Sequence, residues 1–88
     1  MTEKSVELGI KEIMVERLFL KIKPEEIGDD TAIMEELGVD SVSVFEIVVG
    51  LEEVYGISFE DEEFRIEMFR TPRSIAEHVR QKLVQKGR

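Results

Sequence analysis

Apolar residues recur at helical spacing over three stretches of this 88-residue chain. Val6, Ile10, Ile13, Met14 and Leu18 mark the first and predict a helix from about Glu3 to Leu20, slightly weakened by Gly9. The second, "SVSVFEIVVGLEEVY", is rich in β-branched residues but sustains no polar/apolar alternation. Its length and period predict a helix from Ser41 to about Tyr55 that stops at Gly56. The third begins at "RTPRS", where Thr71 suits an N-cap and Pro72 the first helical position, and Ile75, Ala76, Val79 and Leu83 form its stripe. Between the first two lies a long loop, "KIKPEEIGDDTAIMEELG", with Pro24 and Gly28 as breakers and Asp29-Asp30-Thr31 as turn or cap material. Ile27, Ile33, Met34 and Leu37 are its expected anchors, and "IMEEL" predicts one helical turn ended by Gly38. "EDEEFRIEMF" predicts a further one or two turns. The pattern as a whole predicts one all-α domain over residues 1–88. It is a small four-helix bundle, three main helices plus one short helix, with a long first loop.

The second helix is apolar on two sides. At roughly 100° per residue, Val44, Ile47, Val48, Leu51, Val54 and Tyr55 fall on one stripe, the expected core face. Val42, Phe45 and Val49 gather about 150° away by the same counting, with Glu46, Glu52 and Glu53 near them. A helix with two apolar faces is either covered all round or presents one face to a partner. A chain this short has few elements with which to cover both.

Charge narrows the partner. Twenty acidic residues against twelve basic ones give a formal net charge of −8. Such a surface repels phosphate backbones and anionic lipid, so neither nucleic acid nor a membrane surface is expected. Basic patches on other proteins are the natural complement. The N-terminal "MTEKSVELGIKEIM" is too charged for a signal peptide, and no run approaches the roughly 20 apolar residues of a membrane span. With no cysteine, disulfides and thiolate metal sites are excluded, which fits the reducing cytoplasm where the chain is expected.

Candidates for catalysis are poor. Asp40, Ser41 and Ser43 stand at a helix start, where capping is the ordinary role, and "SVFE" from Ser43 to Glu46 fits a capping box. The one histidine, His78, lies in the last helix and is expected at a surface or half-buried position. No nucleophile elbow is present. Asp29-Asp30 and "EDEE" at 60–63 lack calcium-loop spacing, so solvated charge runs are expected and no metal site.

The stretch "AIMEELGVDSVSVFEIVVGLEEVYGISF" resembles the acyl carrier protein family. The resemblance rests on Leu37, Gly38, Asp40, Ser41 and Val42, followed by Leu51, Glu52, Glu53, Tyr55 and Ile57. The order of elements is similar over almost the whole chain. It implies that Ser41 is the attachment point of a covalent 4'-phosphopantetheine arm, donated by coenzyme A through a separate phosphopantetheinyl transferase. Asp40 is then the acid that helps the transferase. The thiol of the arm carries acyl groups as thioesters, so the chain is implied to be a monomeric carrier and not an enzyme. Val42, Glu46, Val49, Glu52 and Glu53 match positions that dock acyl-transferring or synthase enzymes through their basic patches. Fatty-acid, polyketide and other dedicated acyl-transfer pathways fit. Ser43, Val44, Phe45 and Val54 stand where the family more often carries acidic, hydroxyl or smaller residues, which points toward a specialised carrier. An aminoacyl carrier of the D-alanyl type, and an arm-less interaction module of the same fold, are the alternatives.

Overall fold

The computed structural model describes residues 5–86. Among them are four α-helices and no strand: α1 (Val6–Leu18), α2 (Ile33–Leu37), α3 (Ser41–Tyr55) and α4 (Pro72–Lys86). Helix α1 starts where Ser5 can cap it, its side chain accepting the Leu8 N–H at 3.1 Å. The expected start at Glu3 lies outside the described residues. The helix ends two residues earlier than its apolar pattern predicts, because Phe19 turns left-handed (φ 54°) and gives its N–H to the Val15 carbonyl. Leu20 donates to the same carbonyl at 3.1 Å, which closes the helix end.

The long loop is pinned by apolar anchors and by ions. A 3₁₀ turn at Pro24–Glu26 leads to Ile27, which is buried in the core. The Thr31 hydroxyl accepts the Gly28 N–H at 2.8 Å and tightens the turn. Asp29 pairs with Lys11 of α1 at 2.6 Å, and Asp30 accepts two hydrogen bonds from Arg73 of α4 at 2.7 and 3.0 Å. The acid pair expected as a solvated run therefore ties the loop to two helices. The short helix α2 buries Ile33 and ends at Gly38, whose φ of 71° is the left-handed geometry that glycine adopts most easily.

Helices α1, α3 and α4 enclose the core, with α1 packed on both of the others. Val44, Ile47, Val48 and Leu51 of α3 are buried as the wheel predicts. Val54 is not: it is 62% exposed. It sits at the rim of a groove whose other wall includes Gly9, which offers no side chain to cover it. A Cβ at Gly9 would meet the Tyr55 hydroxyl, the far end of a side chain that packs on the core from α3. Helix α4 starts as expected: the Thr71 hydroxyl accepts the Ser74 N–H at 3.1 Å, and Ile75, Ala76 and Val79 are buried.

The segment "EDEEFRIEMF" contains one 3₁₀ turn, Asp61–Glu63, and then irregular turns to the buried Phe69. Its acids are not all solvated. A Glu63 carboxylate oxygen accepts the Glu60 N–H at 2.8 Å, and Glu63 also meets His78 at 2.6 Å and Lys82 at 2.8 Å. Burial works to raise the Glu63 carboxyl, but Lys82, the Glu60 amide and His78 together outweigh it and hold it down at about 2.

Candidate functional site

Gly38 ends α2, Val39 buries its side chain, and the chain re-emerges at Asp40 in extended conformation. Asp40 is the N-cap of α3. One carboxylate oxygen accepts the Ser43 N–H at 2.8 Å, while its carbonyl accepts the Val44 N–H at 2.9 Å. The Ser43 amide, then the Ser43 side chain, hold the Asp40 carboxyl below the ordinary aspartate range. The capping box expected from Ser43 to Glu46 does not form. The helix begins two residues before Ser43, so Ser43 receives the cap instead of making it.

Ser41 is thus the first residue of α3 and is exposed. Beside it stands the second apolar face, and it is uncovered: Val42 is 74% exposed, Phe45 62% and Val49 37%. Phe45 is partly supported, its ring meeting Phe64 edge to face with centroids 5.7 Å apart. Phe64 continues to Phe59, and Phe59 lies against His78 and under the Lys82 ammonium. His78, half-buried as expected, is engaged with Glu63. The acid cluster and His78 therefore brace the bundle.

The acids near the second face divide into two groups. Glu46 and Glu53 share the side of α3 that carries Val42 and Val49, at spacings that place all four within about 60° on a helical wheel. Both are more than half exposed, and both lie near the Arg17 guanidinium of α1. Glu52 faces away from them, half-buried, with a carboxylate oxygen accepting the Phe59 N–H at 2.9 Å. Arg17 was not among the residues that the sequence pattern singled out. Gly50, midway between Glu46 and Glu53 in a strong helix, was the signal available.

The described residues hold no group of carboxylates or imidazoles able to bind a metal ion, and no helix among them is long and apolar enough to cross a membrane. The Ser41 hydroxyl is exposed at the first turn of a 15-residue helix. The backbone N–H groups and positive dipole end of the helix make this position favourable for negative charge.

Comparison with known proteins identifies the family. A family model described as "Phosphopantetheine attachment site" matches residues 10–79. The acyl carrier protein of Wolinella succinogenes is 44% identical over 54 residues, spanning 61% of this chain and 68% of that protein. That of Sulfurovum sp. (strain NBC37-1) is 39% identical over 54 residues, 61% of this chain and 69% of its own. That of Buchnera aphidicola is 40% identical over 60 residues, 68% and 72%. Fold and matches together define a phosphopantetheine-bearing helical domain, a carrier in class. The chain belongs to the acyl carrier protein family, whose covalent cofactor is 4'-phosphopantetheine.

Proposed function

We propose that Ser41 carries the phosphopantetheine arm, and that residues 1–88 act as one carrier domain presenting acyl groups to separate enzymes. The observation that carries this reading is the division of labour at the start of α3. Asp40 supplies the cap, so the Ser41 hydroxyl at the next position is exposed and not committed to closing the helix. The transferase supplies the base that Ser41 lacks locally, and Asp40, ionised and at the surface, is the acid it recognises. Once attached, the arm supplies the thiol that holds acyl groups as thioesters.

Partner enzymes dock on the uncovered face of α3. Val42 and Val49 offer apolar contact, and Glu46 and Glu53 attract a basic rim. Glu52 contributes at the edge only, because its carboxylate already holds the Phe59 amide. The exposed Phe45 widens the apolar part of this face, which favours the enzymes of a dedicated acyl-transfer or polyketide pathway over those of general fatty-acid synthesis.

Intact-mass measurement tests the assignment. Incubated with coenzyme A and a broad-specificity phosphopantetheinyl transferase, the wild type and Ser43→Ala gain one arm and Ser41→Ala gains none. Modification of Ser41→Ala would overturn it.

A further inference from the structure

Arg17 lies across the proposed docking face. Its stem crosses α3 at Gly50, where an added Cβ would come within 3.1 Å of Arg17 Nε and 3.4 Å of Cδ. Glu46 stands one turn before Gly50 and Glu53 about one turn after it, on the same side of the helix. Arg17 reaches both. One guanidinium nitrogen donates to a Glu53 carboxylate oxygen, and the other terminal nitrogen is 3.9 Å from Glu46 Oε1. Its side chain is 26% exposed, against 56% for Glu46 and 63% for Glu53, so it is seated between them. The other ion pairs seen among the described residues join the loop to α1 or to α4, join α1 to α4, or knit the Glu63 cluster. Arg17 is the cation that lands on the acids of this face.

We infer that Arg17 is an internal competitor for basic partners, occupying the two carboxylates that a docking enzyme must engage. This deepens the reading of α3 as the docking face and rests on it. An exposed or half-exposed ion pair is weak, so Arg17 is displaceable and does not lock the face. Its consequence is selectivity. A partner offering only positive charge gains little, because the charge it would neutralise is already partly neutralised. A partner that also has an apolar socket for Val42 and Val49 gains enough to displace it. The formal charge of the chain, −8, would become −9 on removing this one cation, and the increment falls on the docking rim.

The test is steady-state arm transfer from coenzyme A by a broad-specificity phosphopantetheinyl transferase, with the carrier as varied substrate, at low and high salt. Arg17→Gln, which keeps a polar stem over Gly50, lowers the KM for the carrier about five-fold at low salt with kcat unchanged. That is about the size of one unit-charge interaction at 4 Å in water. The gain shrinks as salt rises. Arg17→Lys, which keeps the charge, stays near wild type. Glu53→Gln raises KM, and raises it more in the Arg17→Gln background than alone. Thermal melts confirm that each variant is folded under the assay conditions. If Arg17→Gln leaves KM unchanged or raises it while Glu53→Gln still raises it, the docking reading stands and the competitor inference is overturned. If neither Glu46→Gln nor Glu53→Gln changes KM, the docking reading falls and takes the inference with it.

Discussion

Gly50→Ala sets two measurable effects against each other. Gly50 is buried in the middle of α3, where alanine favours the helix by about 1 kcal/mol over glycine. Propensity alone therefore predicts a more stable protein. Packing predicts the reverse. The new Cβ would stand 2.5 Å from Ile13 Cγ2 on α1, well inside contact distance, besides crowding Arg17. Ile13 is a core residue with 6% exposure, and its γ-methyl lies on the rigid part of a β-branched side chain, so it cannot simply swing away. Either α1 withdraws from α3 or Ile13 leaves its rotamer, at an overpacking cost of about 1–3 kcal/mol. The expected net loss is about 1 kcal/mol, which in a domain of this size lowers Tm by about 4–8 °C. Thermal and urea unfolding measure it. A double-mutant cycle isolates the cause, because Ile13→Ala removes the clashing methyl. In that background Gly50→Ala should become neutral or stabilising. A rise in Tm for Gly50→Ala alone would refute the claim that close approach of α1 and α3 explains this glycine.

Two further outcomes follow from the two faces of α3 and from the Glu63 cluster. Leu51, fully buried, should cost about 2–5 kcal/mol as Leu51→Ala, whereas the half-open Val49 as Val49→Ala should cost little stability yet slow arm transfer; equal stability losses in melts would show that Val49 is core. Glu63 is held at about 2, below its ordinary 4.5, so its stabilisation is fully present above pH 4.5 and is lost as pH falls toward 2. The stability gap between wild type and Glu63→Gln, up to about 3 kcal/mol near neutrality, should close over that window, and a gap independent of pH would contradict the pairing.

Helix positions and the buried stripe of α3 were legible in the sequence because burial there follows the helical period. Three features were not. Phe19 ends α1 in a left-handed turn usually signalled by glycine or asparagine, so the pattern ran on to Leu20. Val54 lies on the core stripe by angle but near the end of α3, where the small Gly9 leaves it uncovered, and a wheel carries no information about length along the axis. The acids at Asp29, Asp30 and Glu63 looked like solvated charge, and only the fold brings Lys11, Arg73, His78 and Lys82 to them from other elements. In the same way, the second apolar face could be read along one helix, whereas Arg17 reaches that face from another.

The order Asp-Ser, and not the presence of either residue, is what the local physics explains. An N-cap side chain has to fold back onto the amide two or three residues on, which commits its oxygen to the helix. Were the serine the cap, its hydroxyl would be held in that bond. With Asp40 as cap, the carboxylate takes the Ser43 amide and is itself held ionised by that contact. Ser41 then falls at the first helical residue, where the side chain points outward and the backbone N–H groups of the first turn remain nearby. One residue of register thus separates closing the helix from presenting the hydroxyl. Gly38 and the buried Val39 fix that register from upstream, by ending α2 with a left-handed residue and anchoring the chain just before the cap.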